Sequence, residues 1–518
     1  MIPTAAIDAY LKRSLESHRW VKHLTAKDLA VSAQALNPVP KLNPKLRLHQ
    51  QACFLLGIAN PQFCYWLDLG VGKTLLTLEL LRYWFQVGRI KRAIIFVTSD
   101  KAFHTWEKQL VEFGIDLPLI SLAGSSKQKW EQLEAFEEGL VLVAYPGAVA
   151  MTCDRLKGKM KLNKKRAVKL AEWADAFVLD ESTRVGNYRS LGFQLVAQLQ
   201  KTAGIRYALA GRPFGRDPTM LWAQCFLIDG GKTLGETLGL FRAAFFNEQL
   251  NPWDPKGFAK DYIFKQAMKP QLAAMVQNCS ITYSADECID LPKVTAIREV
   301  VPFPEEARAY YKKSVEEIIA AKGNMREMRG AFLRMRQISS GFIGLKDDET
   351  GERAEIALLE NPKLDRLMEL IEDLPEGRGA VIFYEFTRTG REIVKRLKEL
   401  DMKPVWLWSG TKNSTAELKR FASDPKCTVA VVQSKVGSMS IDGFQHKASY
   451  LFFAESPLGA IDREQAEGRL VRDGQKHPVF IFDIMMQNTV DAKILEYIKE
   501  GRDFFNAVLK NPGLLKGG

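Results

Sequence analysis

Trp66-Leu67-Asp68-Leu69-Gly70-Val71-Gly72-Lys73-Thr74 decides how the rest of the chain reads. A short apolar run, Phe63 to Leu67, precedes it, and a helical pattern from Leu75 to Phe85 follows. Strand, glycine-bearing turn and helix in that order make a cradle for phosphate. Glycines at 70 and 72 let the backbone curl so that its N–H groups converge. The start of the helix adds its positive end. Lys73 then reaches the β- and γ-phosphates, and the Thr74 hydroxyl is placed for Mg²⁺. Leu67 stands where the first glycine of the full pattern usually falls, so the second half of the motif carries the signal. GxGKT alone also occurs as a chance turn; here the flanking strand and helix support it. The expected nucleotide contacts are Gly70, Val71, Gly72, Lys73 and Thr74.

Downstream, short apolar runs at Ala93–Thr98, Leu140–Tyr145, Ala176–Asp180 and Arg206–Ala210 alternate with helical stretches such as Phe103–Phe113 and Leu191–Leu199. That alternation predicts a parallel sheet covered on both faces. Ligands of such sheets sit at the carboxyl ends of strands. Both the glycine loop and Asp180-Glu181 fall there. A carboxylate ending a strand beside a phosphate loop holds the magnesium shell, which is the role expected of Asp180. Glu181 is then placed to orient and deprotonate water. Adjacent carboxylates in a loop are otherwise commonplace and solvated. Upstream, Leu46-Arg47-Leu48-His49-Gln50 opens a helix running to about Gly57. The Gln50 amide can both donate to and accept from adenine, although a lone glutamine is usually just a solvated helix residue.

A second alternating block begins near residue 378, with strands at Ala380–Tyr384, Val405–Trp408, Thr428–Gln433, Tyr450–Ala454 and Val479–Ile484. Helices Thr389–Leu400 and Thr415–Phe421 lie between them. The block has no glycine loop of its own, but it carries Gln465-Ala466-Glu467-Gly468-Arg469-Leu470-Val471-Arg472-Asp473-Gly474-Gln475. Three-residue spacing puts Arg469 and Arg472 on one face of a helix. Two arginines aimed at a nucleotide held elsewhere would act as arginine fingers. On spacing alone, a salt-bridged surface helix is the simpler alternative.

Taken together, LRLHQ, LDLGVGKT, VLDESTRVGN, ALAGRPFGRDPTMLW, AVIFYEFT, VAVVQSKVGSMSIDGF and QAEGRLVRDGQ occur in one order along the chain. That order resembles superfamily-two helicases, and within them the Swi/Snf-type ATPases, from about Leu46 to about Tyr497. The closing QAxxRxxRxGQ pattern is the most specific part. DESTRVGN is similar to the family's DEAHRIKN at Asp180, Glu181, Arg184 and Asn187. The resemblance implies an α/β fold of two RecA-like parallel-sheet lobes with a helical insertion. The expected boundaries are an N-terminal helical extension and linker at 1–44, lobe 1 at 45–228, the linking region at 229–360 and lobe 2 at 361–518. It implies Gln50 as adenine reader and Gln465, Arg469 and Arg472 as the motif completing the ATP site. Lys73, Asp180, Glu181, Arg469 and Arg472 would be catalytic, with ATP and Mg²⁺ required. By motif position, the nucleic-acid contacts would be Thr98, Lys101, Thr387, Arg388, Ser434 and Lys435. Departures are Ser182-Thr183 for the family's Ala-His, Arg212 within Gly211-Arg212-Pro213, Gly437-Ser438 for paired glycines, and Asp442 for the usual Asn.

The chain has 518 residues and a net charge of +12. The charge suits a polyanionic partner or plain solubility about equally. Lys157, Lys159, Lys161, Lys164, Lys165, Arg166 and Lys169 form a basic run between Tyr145 and the acid pair, read either as a patch or as a solvated helix face. Arg326, Arg329, Arg334 and Arg336 add a second basic region. Seven cysteines at no CxxC spacing indicate neither a disulfide framework nor a zinc site. No signal peptide or membrane span is visible, so a cytoplasmic protein is expected, in the host cytoplasm if viral. The expected function is a DNA-dependent ATPase that translocates along double-stranded DNA in repair, replication, recombination or protein displacement. The competing readings are a strand-separating DNA or RNA helicase, a binding module with an idle ATP site, and a subunit of a restriction or remodelling complex.

Overall fold

The computed structural model describes residues 3–211, 213, 218–250, 260–321, 324–346, 353–437, 443–500, 507–508 and 512–515. Arg212, Ser438 and Asp442, three of the departures noted above, lie outside them. The chain divides into two compact units, Met1–Leu250 with Lys260–Ile289 and Asn251–Ala259 with Asp290–Gly518.

The first unit is built on strands β1 (Gln62–Leu67), β2 (Arg92–Val97), β3 (Leu119–Ser121), β4 (Gly139–Ala144), β7 (Ala176–Leu179), β8 (Ile205–Ala210) and β11 (Ser280–Tyr283). Between them fall two hairpins, β5 (Cys153–Leu156) with β6 (Lys159–Leu162), and β9 (Phe246–Leu250) with β10 (Lys260–Phe264). The sheet order is β11-β1-β8-β7-β2-β4-β3, with every neighbouring pair parallel. Phe63 to Leu67 are all buried, as are Ala93 to Val97. Strands covered on both faces read as unbroken apolar runs rather than alternating ones, which is why they were visible in the sequence.

β11 was not foreseen. It pairs with β1 from Cys64↔Ser280 to Leu67↔Tyr283, so residues beyond 228 complete the first sheet. The expected separate region at 229–360 is therefore divided between the two units at Ile289. Residues 1–44 contribute the expected helices, Thr4–Leu11 and Ala26–Gln34. They also pack into this unit. Tyr10 is in its core and donates to the Leu234 carbonyl at 3.1 Å.

The second unit's sheet uses β12 (Val294–Val301), β15 (Gly379–Tyr384), β16 (Val405–Leu407), β17 (Val429–Gln433), β18 (Ala448–Phe453) and β19 (Val479–Met486). Its order is β12-β19-β18-β15-β17-β16, again parallel throughout. β13 (Phe342–Lys346) and β14 (Arg353–Ala357) form a hairpin after helices Glu305–Ala320 and Met325–Ser339. Five of these six sheet strands match expected runs; β12 was not expected. The fold is α/β with two parallel sheets, as the sequence predicts.

Candidate active site

The glycine loop joins β1 to the helix Lys73–Gln86. Gly70 and Gly72 take φ values of 82° and 85°, the left-handed region where a Cβ is strained. Gly72 has a second constraint, since a Cβ there would lie 2.3 Å from the Gln50 amide nitrogen. The loop is held from behind by helix Leu48–Ala59. Gln50 Nε2 donates to the Gly72 carbonyl at 2.9 Å, and its Oε1 accepts from the Arg47 amide at 2.8 Å. Thus the buried Gln50 braces the loop with one donor and one acceptor of its amide. His49, which the sequence reading did not single out, holds the Val71 carbonyl through Nε2 at 2.9 Å. A carbonyl only accepts, so Nε2 carries the proton. Burial pushes His49 below the ordinary histidine value and keeps the ring neutral.

Lys73 donates to the carbonyls of Leu67 and Asp68, at 2.8 and 3.2 Å, on the strand end just before it. Its positive charge reaches Asp180, which ends β7 two strands away in the sheet. Burial, with the Glu181 charge second, pushes the Asp180 carboxyl up to about 6; Lys73 and the hydrogen bond from Trp106 oppose this. Trp106 Nε1 donates to Asp180 Oδ2 at 3.2 Å, and the Tyr145 hydroxyl donates to the Asp180 carbonyl at 3.0 Å. Glu181 has φ 51° and ψ 58°, a left-handed backbone uncommon outside glycine, asparagine and aspartate. Strain of this kind clusters where a side chain must be aimed, and here it sits at the expected water-activating carboxylate.

Ser182, the first departure from the family pattern, is fully buried. Its hydroxyl donates to Gln224 Oε1 at 2.5 Å. Gln224 Nε2 donates in turn to the Pro213 carbonyl and, at 3.0 Å, to the Met220 carbonyl. The acid pair is thereby linked to the segment after β8, the position of the Gly211-Arg212-Pro213 motif. Gln224 sits in the apolar-looking helix Thr219–Asp229, where no local pattern signals this link.

The first unit therefore gathers Gly70, Val71, Gly72, Lys73, Thr74, Asp180 and Glu181 on the carboxyl edge of one sheet, with Gln50 behind them. Thr98, half-buried, and Lys101, exposed, follow β2 on that same edge. The basic run is a hairpin plus helix Lys164–Trp173 rather than one helix face. Arg166 pairs with Asp154 at 2.5 Å and Lys169 with Glu134 at 2.5 Å. Lys157, Lys159 and Lys161 are exposed around the hairpin turn, beside exposed Leu156 and Met160.

In the second unit, helix Ala460–Glu467 carries Gln465 but ends before the arginines. Arg469 and Arg472 lie in the turns that follow, with backbone bonds Arg469 N to Ala466 O and Arg472 N to Leu470 O. The expectation of a shared helix face is corrected: Gly468 closes the helix, and turn geometry sets the two side chains. What fixes the segment is Arg463, unremarked in the sequence. It is buried, forks onto both Asp483 oxygens, pairs with Glu467 at 2.6 Å and stacks 3.5 Å over the Phe453 ring.

Of the remaining candidates, Ser434 is buried, with its hydroxyl donating to the Tyr384 carbonyl at 3.1 Å. Lys435 is exposed. Thr387 opens helix Thr387–Glu399, and Arg388 next to it donates to the Glu355 carbonyl at 3.1 Å. In the other basic region Arg336 is buried, donating to the Ser456 carbonyl at 2.8 Å, and Arg334 pairs with Glu317; Arg326 and Arg329 are exposed.

A glycine loop with its lysine and threonine, a strand-end acid pair and a parallel sheet define a P-loop nucleoside triphosphatase. The SNF2-related domain family matches residues 67–347, more than half of the sequence, and the chain belongs to that family. It is an ATP-hydrolysing superfamily-two enzyme of the Swi/Snf type.

Among curated relatives, putative protein p41 of Acyrthosiphon pisum secondary endosymbiont phage 1 is 22% identical over 452 residues, covering 83% of this chain and 90% of that protein. The putative ATP-dependent helicase/translocase YwqA of Bacillus subtilis is 21% identical over 442 residues, 82% of this chain and 44% of that one. The ISWI chromatin-remodeling complex ATPase ISW1 of Saccharomyces cerevisiae is 22% identical over 456 residues, 83% and 37% respectively. The chain thus spans less than half the length of the last two. Among solved structures, the Sulfolobus solfataricus SWI2/SNF2 ATPase core in complex with dsDNA is 19% identical with a TM-score of 0.39, covering 92% of this chain and 96% of that one. Among the described residues, no helix is long and apolar enough to cross a membrane.

Proposed function

We propose that this chain is a DNA-dependent ATPase that couples hydrolysis to translocation along double-stranded DNA. The observation that carries the reading is the convergence of Lys73, Asp180 and Glu181 at one sheet edge, with the glycine loop braced by His49 and Gln50. The loop amides and Lys73 bind the triphosphate. Glu181 takes the proton of the attacking water. The donor set suits Mg²⁺: a hydroxyl, Thr74, at a helix start and a carboxylate, Asp180, whose charge is disfavoured until a cation is close. When bound, the ion neutralises charge on the β- and γ-phosphates.

Gln465, Arg469 and Arg472 of the second unit complete the site, the two arginines as arginine fingers, supported by the QAxxRxxRxGQ pattern. Each cycle of ATP binding and hydrolysis then moves two grips along a phosphate backbone. The exposed lysines of the β5–β6 hairpin, with Thr98, Lys101, Thr387, Arg388 and Lys435, supply those grips. Binding through them is independent of sequence and sensitive to salt. The names helicase/translocase and chromatin-remodeling ATPase borne by relatives support a duplex track. Work in replication, repair, recombination or protein displacement within a cytoplasm is the setting proposed for such a motor.

The test is ATP turnover with no nucleic acid, single-stranded DNA, duplex DNA and RNA. Duplex DNA stimulates most, and added salt removes the effect. Equal stimulation by RNA or single strands replaces the proposal with a strand-separating helicase.

A further inference from the structure

We infer that Cys64, Cys225 and Cys279 form a trithiolate site for a soft, thiophilic d¹⁰ cation of the Zn²⁺ or Cu⁺ class. The three come from separate elements: Cys64 from β1, Cys225 from helix Thr219–Asp229, and Cys279 from the residue before β11. Their sulfurs all lie within 4.8 Å of one another, and the Cys225–Cys279 pair is 3.6 Å apart. Three sulfurs bound to one zinc at about 2.3 Å would sit about 3.8–4.0 Å apart. The Cys225–Cys279 edge is within a few tenths of an ångström of that figure, and the other two edges are no longer than 4.8 Å. Among the described residues, no other group of three histidine, cysteine or acidic side chains converges in this way.

Cysteine is a common core residue, valued there as a small apolar filler. Filling volume does not require three sulfurs to meet at one point. The surroundings also suit a metal. All three side chains are shielded from solvent, which leaves water a poor competitor for the ion. Soft thiolates select soft cations. His18 and Asp229 lie close enough for their charges to act on the Cys279 sulfur. The three sulfurs alone satisfy Cu⁺, whereas zinc would need a fourth ligand, since neither His18 nor Asp229 belongs to the converging group. Binding displaces the thiol protons to solvent, so the site tightens as pH rises.

An ion here would pin together three parts of the ATP site's frame. β1 leads into the glycine loop, β11 flanks it, and the 219–229 helix carries Gln224 of the Ser182 link.

The experiment uses the full chain, purified without chelator and analysed for metal, then stripped and titrated in two arms. One arm uses Cd²⁺ as a spectroscopic substitute for Zn²⁺; the other uses Cu⁺. A thiolate-to-metal charge-transfer band saturating at one equivalent, with a matching rise in Tm, is expected in at least one arm. Saturation in the Cd²⁺ arm assigns a site for the zinc class, and saturation in the Cu⁺ arm alone assigns three-coordinate binding of Cu⁺. Cys225→Ser and Cys279→Ser should lose the band, and Cys427→Ser should keep it. Wild-type protein showing no band and no Tm shift in either arm overturns the inference, whether or not the variants fold. So does a band that persists in Cys279→Ser.

Discussion

The imidazole of His49 donates from Nε2 to the carbonyl of Val71 at 2.9 Å, so a neutral ring holds the glycine loop in place. His49→Ala leaves a buried carbonyl without its donor, at a cost of about 1–3 kcal/mol. The expected result is a lower Tm and weaker ATP binding, read by nucleotide titration. The pH dependence follows from the depressed pKa. The unfolded chain binds a proton that the folded ring refuses, so this contribution is complete above the ordinary value of 6.5 and is lost as pH falls below it through the ring's depressed folded value. An unaltered ATP affinity in His49→Ala would show that the brace is dispensable.

Asp180 has the opposite sign. Its carboxyl is pushed up to about 6 from an ordinary value of 3.8, so the ionised form destabilises the fold above pH 6. Asp180→Asn should raise Tm at pH 7–8 by the equivalent of up to ~3 kcal/mol, at about 1.4 kcal/mol per unit. Turnover should be abolished. The stability gain should shrink between pH 6 and pH 4, where wild type takes up its proton. Thermal melts of both proteins across that range decide it; a gain that does not vary with pH would assign it to packing instead.

Glu181→Gln preserves shape and removes the base. ATP binding should persist while kcat falls by at least ~100-fold, the lower end for general-base catalysis. Turnover close to wild type would mean that another group activates water.

Two arginines of the second unit should behave differently. Arg463 neutralises buried Asp483, so Arg463→Ala should cost about 3–5 kcal/mol in urea melts. Arg472→Ala should lower kcat by at least ~100-fold. If Arg472→Ala hydrolyses ATP normally, the second unit has no part in the chemistry.

The Ser182–Gln224 bond gives a smaller prediction. Ser182→Ala leaves Gln224 Oε1 short of a donor in a dry core, costing about 1–3 kcal/mol. Ser182→Ala with Gln224→Leu should cost more than Ser182→Ala alone, because the Pro213 carbonyl then loses its donor as well. A double variant no less stable than the single one would remove the Gln224 link from the account.

The legible parts of this molecule are those where one local pattern is enough. β1, β2, β4 and β8 are continuous apolar runs because both sheet faces are covered, and Gly70-Val71-Gly72-Lys73-Thr74 needs only its flanks. β11 was hidden because Ser280-Ile281-Thr282-Tyr283 is short and half polar. β12 was hidden because Arg298 and Glu299 interrupt a strand at a sheet edge. His49, Gln224 and Arg463 act through partners far away in the sequence. The three clustered cysteines fail every spacing rule for the same reason. The helix expected around Arg469 and Arg472 assumed that regular spacing continues through Gly468, where the chain instead turns.

Asp68, the first residue after β1, accepts from the Ala285 amide at 3.0 Å and donates its own amide to the Tyr283 carbonyl at 3.0 Å. Soon afterwards, beyond Ile289, the polypeptide passes into the second unit. The exit strand is thus buttoned to the entrance of the loop that grips phosphate. Tension pulling on that outgoing thread arrives first at Lys73's own doorstep, so mechanical load and nucleotide affinity share one pair of hydrogen bonds.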